Sequence, residues 1–162
     1  MKKLLTSLLL IIPFASLSGG ENWHLGARSA GMAHSSVTLF DVWSTHHNQA
    51  GLGWLQSPTA GVYFENRFAV SEFSQMGAAA AVPLGPGAIG LNYAGFGWSL
   101  YKENKIGLSY GMKFNDKISG GFQANYHTVR LPNNYGSGAA ISVEAGIQAR
   151  VTEELTIGAQ VF

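Results

Sequence analysis

The side chains best suited to chemistry in this chain are five histidines, His24, His34, His46, His47 and His127. Imidazole binds metals and moves protons near neutral pH. His46 and His47 are adjacent, so they point to opposite faces on a strand and stand about 100° apart on a helix. A metal-binding helix uses an i, i+4 pair instead. The chain has no cysteine, which removes disulfides and thiolate metal sites. The spacing predicts no metal site, and the histidines read as polar packing residues. Gly85-Pro86-Gly87 resembles a phosphate-cradling loop, but no helix is expected after it to present amide groups. No strand-to-helix elbow of the Gly-x-Ser-x-Gly kind is expected to seat a nucleophile. The reading is a chain without catalytic residues, without a cofactor and without enzymatic activity.

Composition narrows the class. Charged residues make up 12% of the 162-residue chain, about half the usual share. Without Lys2 and Lys3 the net charge is about −1, which offers no footprint for nucleic acid. Met1-Lys2-Lys3, an apolar run from Leu4 to Leu17, and Ser16-Leu17-Ser18 before Gly19 have the form of an export leader over 1–18. That run is too short to span a bilayer as a helix, and no later apolar run is longer. No cysteine follows it to carry a lipid anchor.

The strongest pattern is the stretch Ile141 to Val151, with apolar side chains on the odd residues and polar or glycine residues on the even ones. Period-two alternation specifies a strand with one apolar and one wet face. At about 10–11 residues it is long enough to cross a bilayer when tilted. Seven strands are expected, at 59–66, 73–83, 87–97, 104–114, 117–130, 139–150 and 155–162. In the fourth, Ile106, Leu108, Tyr110, Met112 and Phe114 share one face, and Lys105, Gly107, Ser109, Gly111 and Lys113 the other. In the fifth, Ile118, Phe122, Ala124 and Tyr126 oppose Ser119, Gln123, Asn125 and His127. The connections alternate between tight turns (84–87, 115–116, 152–154) and longer loops (67–72, 98–103, 131–138), as in outer-membrane barrels. Tyr63, Phe64, Phe96, Trp98, Tyr101, Phe114 and Tyr126 stand near strand ends, where barrels carry aromatic girdles.

The expected fold is all-β: an antiparallel transmembrane β-barrel at 59–162, preceded by an N-terminal hatch segment at 19–58. Within that segment Ser35–Phe40 reads as a short strand, and Asp41 as the cap of a short helix that Gly51 and Gly53 break. Seven strands starting at the periplasm leave Phe162 on the opposite membrane face, whereas bacterial barrels have even strand numbers. Parity predicts an incomplete barrel that continues past Phe162. On the lumen face Lys113, Gln123, Asn125, Glu144, Gln148 and Arg150 are the candidate ligand-lining residues, either bonding the hatch or lining a polar path. Arg28 and Asp41 are candidate anchors for the hatch. Ile147→Arg is expected to cost about 2–4 kcal/mol on the lipid face, and Gln148→Arg to be mild.

Gly26-Ala27-Arg28-Ser29-Ala30-Gly31-Met32-Ala33, then Asp41, then Asn48-Gln49-Ala50-Gly51-Leu52, resembles the N-terminal signature of FadL-like barrels. It is most similar to the PorV/PorQ-type branch of Bacteroidetes-like bacteria. That signature usually runs Gly-Ala-Arg-x-x-Gly-Met-Gly, an acidic segment, and Asn-Pro-Ala-Gly-Leu. Here Ala33 stands in place of glycine and Gln49 in place of proline. The resemblance marks Gly26, Ala27, Arg28, Gly31, Asp41, Asn48, Ala50, Gly51 and Leu52 as hatch residues. It implies about fourteen strands and a protein of the cell outer membrane, in contact with its lipid. It implies passage of hydrophobic small molecules or, in the PorV/PorQ branch, work with type IX secretion proteins. The residue pattern alone also leaves open a soluble periplasmic β-barrel carrier.

Overall fold

A computed structural model describes residues 23–99, 101–132 and 136–162. The expected leader at 1–18 lies outside them, as do the loop residues 133–135. Seven strands follow one another: β1 (Thr59–Asn66), β2 (Ser74–Leu84), β3 (Gly87–Gly97), β4 (Lys102–Lys113), β5 (Ile118–Arg130), β6 (Ser137–Arg150) and β7 (Thr156–Val161). They form one antiparallel sheet in sequence order, each paired with its neighbours, and the sheet curls into a half-barrel. The five central strands run 11 to 14 residues, roughly twice the common strand length.

Local chemistry closes the hairpins. Gly85 takes φ 61° at the first turn position, where a Cβ is disfavoured, and Pro86 follows it. Asn115 Oδ1 accepts from the amides of Lys117 and Ile118, both at 2.8 Å. Thr152 Oγ1 accepts from the Glu154 and Leu155 amides at 3.2 and 3.0 Å. At the other end the β1–β2 loop coils through two short 3₁₀ turns, Arg67–Ala69 and Ser71–Phe73. The short-turn end and the long-loop end are thus distinct.

Register fixes the faces. Ile141, Val143, Ala145 and Ile147 are exposed on the convex side of β6, with Ile141 79% exposed, while Glu144 and Gln148 are buried on the concave side. The same division holds in β4 and β5. A water-soluble domain buries its apolar side chains. Here, among the described residues, eighteen polar or charged residues are buried against eight hydrophobic ones, four of them alanines.

Residues 23–58 lie in the concavity. They contain helix α1 (Ala27–Gly31), helix α2 (Ser44–His47) and a 3₁₀ turn at Gln49–Trp54. The expected strand at Ser35–Phe40 does not form. The carbonyls of Val37 and Leu39 are instead taken by the Gln148 side chain, at 2.9 and 3.2 Å. Asp41 is not the cap of α2: the N-cap is Trp43, without a side-chain bond, and Asp41 Oδ1 accepts from the Trp43 amide at 2.8 Å one turn earlier. The helix stops at His47, before Gly51 and Gly53. Asn48 turns to φ −161° and its Oδ1 accepts from the Ala50 amide. Leu52 packs with Ala81, Ala88 and Leu55 as a small apolar plug at the short-turn end.

Candidate functional site

The site is the polar concave face and the chain segment lying on it. Two features seat that segment. The first is a set of inward glycines. A Cβ on Gly111 would stand 2.0 Å from the Gln49 carbonyl oxygen, and one on Gly146 would stand 2.0 Å from Asn48 Oδ1. Both strands yield their side-chain volume so that the segment can lie against the sheet. The second is amide chemistry. Asn48 Nδ2 faces the carbonyls of Val37, Ile147 and Ala159 at 2.8, 3.2 and 3.4 Å, tying the segment to β6 and β7.

At the centre is a buried ion pair. Lys105 Nζ donates to Glu144 Oε1 at 2.5 Å. Glu144 Oε2 accepts from Gln49 Nε2 at 3.0 Å and from Gln160 Nε2 at 3.1 Å. One carboxylate therefore joins β4, β6, β7 and the N-terminal segment. Asn92 Nδ2 donates to Gln123 Oε1 at 3.2 Å and to the Thr45 carbonyl. Gln123 Nε2 donates to Asn125 Oδ1 at 2.6 Å, and Asn125 Nδ2 to Ser142 Oγ at 3.3 Å. Burial raises the strength of such bonds and the cost of losing them.

Of the six lumen candidates, Gln123, Asn125 and Glu144 fall into this network. Gln148 is 1% exposed and bonds the segment's backbone. An arginine there would remove both bonds and overfill the site, so the mild outcome expected for Gln148→Arg is corrected. Lys113 and Arg150 stand apart at the short-turn end. Arg150 lies 3.5 Å over the Trp54 ring and 5.4 Å over Phe40, and Lys113 lies 5.4 Å over Trp54. Arg28 and Asp41 face each other at 3.8 Å, with Arg28 61% exposed, rather than reaching the sheet. Of the marked segment residues, Asn48, Ala50, Gly51 and Leu52 are buried, Gly26 packs under Trp43, and Ala27 and Gly31 lie on exposed turns of α1. Ala33 has φ 50°, a left-handed backbone conformation that favours glycine.

Sequence reasoning missed Gln49 and Lys105 as anchors, and marked Asn48 as a hatch residue without its partners. Lys105 and the inward glycines were visible on the polar face of the alternation. The partner of Gln49 lies 95 residues away and leaves no local signal. One spacing also departs from expectation: Gly107-Leu108-Ser109-Tyr110-Gly111 has the Gly-x-Ser-x-Gly form. It lies inside β4, with Ser109 Oγ donating to the Gly90 carbonyl at 3.1 Å, and no strand-to-helix turn is formed there.

His46 and His47 are buried, and their partners define their tautomers. His46 Nε2 lies 2.6 Å from the Trp23 carbonyl and His47 Nε2 2.7 Å from that of Leu25. A carbonyl only accepts, so each Nε2 carries the proton. Burial is the main cause holding His46 well below its usual pKa, with the Lys105 charge adding to it. Burial lowers His47 to about 4, partly opposed by its bond to Leu25. His24 stacks near His34 and His47. No group of three or more metal-ligating side chains is present among the described residues.

Above the segment, toward the long-loop end, the concavity leaves a cavity of about 430 Å³. Trp23, stacked on Phe96 at 4.2 Å, forms part of its wall, with Lys105, Glu144, His46 and His127. Set against protein-family models, curated proteins and solved structures, the chain has no significant match in any of the three.

Proposed function

We propose that this is an outer-membrane barrel protein of the FadL-like kind, whose lumen is occupied by the N-terminal segment and admits hydrophobic small molecules. The observation that carries the reading is the inverted amphipathicity of the half-barrel. Val62, Ile141 and Val143 stand on the convex face, with Val62 87% exposed, while Gln123, Asn125 and Glu144 are buried. In water such a surface is an aggregation liability; against lipid tails it is the favourable arrangement. No helix among the described residues is long and apolar enough to cross a membrane, so the crossing falls to the strands. Their length fits it. The segment's hydrogen bonds to β6 and β7 fit a gate that moves rather than a permanent core, since polar contacts can be exchanged for water.

Fractionation of cells producing the full chain tests the membrane claim. Recovery in the outer-membrane fraction, with migration on gels that depends on heating, is expected; recovery in the soluble periplasm would replace the barrel with a carrier. A deletion strain tests the cargo. Loss of growth on hydrophobic carbon sources is expected. Intact uptake with lost secretion of type IX cargo would put a PorV/PorQ-type role in its place.

A further inference from the structure

We propose that the cavity above the N-terminal segment binds a neutral molecule with an apolar body and a single hydroxyl donor, which hydrogen-bonds to Nδ1 of His46. The polar side chains of the wall are otherwise committed. Lys105 and Glu144 hold each other. Asn104 Oδ1 accepts from Tyr93 and its Nδ2 donates to Thr128 Oγ1 at 3.2 Å. Gln75 donates to the His24 carbonyl, Glu103 accepts from Trp23 Nε1, and His127 pairs with Ser142. Of the buried polar atoms of the wall, among the described residues, one on His46 lacks a partner. His46 is 1% exposed and lines the cavity, and its Nδ1 is buried with no partner.

The tautomer fixes what that atom can do. Nε2 keeps its proton for the Trp23 carbonyl, so Nδ1 carries a lone pair and accepts. A buried acceptor without a donor costs free energy, and a ligand hydroxyl removes that cost. Charge excludes other ligands. The Lys105–Glu144 pair is internally neutral, Glu103 adds one negative charge to the wall, and His46 stays uncharged, with Lys105 the charge that acts on it. A carboxylate would meet the lone pair of Nδ1 and the Glu144 charge. An ammonium would meet Lys105. The rest of the wall, including Phe96, Ala94, Val129 and Ala140, is apolar and suits a ring body. A volume of about 430 Å³ lies in the range of small-molecule sites.

This inference goes beyond the transport reading and does not need it, because binding to the purified protein holds whether or not the lumen conducts. The test is calorimetric titration of the full chain in detergent with 2-naphthol, naphthalene and 2-naphthoate at pH 7.5, with micelles alone as the blank. Binding of 2-naphthol about tenfold tighter than either other probe is expected. His46→Phe keeps a ring and removes the acceptor, and should bring the naphthol-to-naphthalene ratio to about one. That variant also loses the bond to Trp23, so a second readout uses the unaltered protein. The ¹⁵N resonance of His46 Nδ1 should move with 2-naphthol and stay still with naphthalene. Equal affinities, tighter naphthoate, a ratio unchanged in folded His46→Phe, or an unmoved resonance would each overturn the assignment.

Discussion

Replacing Glu144 by glutamine isolates the charge at the centre of the concave face while keeping its shape. Glu144 and Lys105 are both buried and joined at 2.5 Å. In the Glu144→Gln variant, Lys105 loses its counter-ion, while Gln49 and Gln160 keep a carbonyl oxygen to donate to. Removing one partner of a buried pair costs about 3–5 kcal/mol. The two retained amide donors leave the lower end of that range, about 3 kcal/mol. Lys105→Met added to Glu144→Gln deletes the other charge at nearly the same volume. The double variant should return to within about 1 kcal/mol of the original chain, a coupling of at least about 2 kcal/mol. The assay is urea unfolding in lipid vesicles followed by tryptophan fluorescence. At a slope of about 2 kcal/mol/M, the single variant lowers the midpoint by about 1.5 M, and the double variant restores most of it. Added salt should leave the difference unchanged, because a buried pair is poorly screened. A single-variant loss under about 1 kcal/mol, or a double variant as weak as the two singles summed, would refute the buried-pair reasoning.

Gly146→Ala places a Cβ 2.0 Å from Asn48 Oδ1 and should cost about 1–3 kcal/mol by overpacking; faster trypsin cleavage after Arg28, with β-sheet circular dichroism retained, is the expected readout. Ile147→Arg puts a charge on the convex face and should cost about 2–4 kcal/mol in vesicles, while Ile147→Leu should change the urea midpoint little. Acid should loosen the N-terminal segment. His47 titrates at about 4 when folded, against a usual 6.5, so the unfolded chain binds more protons between those values. The stability is fully present above pH 6.5 and is lost as pH falls toward 4, on the order of 2 kcal/mol by pH 5. Protease protection of the segment measured from pH 7.5 to pH 4.5 should fall over that window, and a flat profile would count against neutral, buried His47.

The strands were legible because alternation is written residue by residue and needs no knowledge of what covers each face. The strand expected at 104–114 is Lys102–Lys113, and that at 139–150 is Ser137–Arg150. The N-terminal segment was less legible because distant partners shape it. Ser35–Phe40 reads as a short strand, yet the carbonyls of Val37 and Leu39 go to Gln148 and Asn48. The helix expected after Asp41 ends at His47 because Asn48 is drawn into β6 and β7. Lys113 and Arg150 lie on the polar side by parity, but each sits at a strand end, where the Trp54 ring captures it. Parity gives the face and leaves the depth open.

The long reach of the segment's bonds orders the folding reaction. Every strand pair joins neighbours in the chain, so each hairpin closes a short loop and forms early. Asn48 instead waits for Ile147 and Ala159, 99 and 111 residues later. Its bonds have nothing to join until β6 and β7 are in place. The segment that precedes the strands in the chain is seated after them. Substitutions at Gly111, Gly146 or Asn48 consequently act on the rate at which the protein comes apart, while substitutions in the turns at Gly85 and Asn115 act on the rate at which it forms.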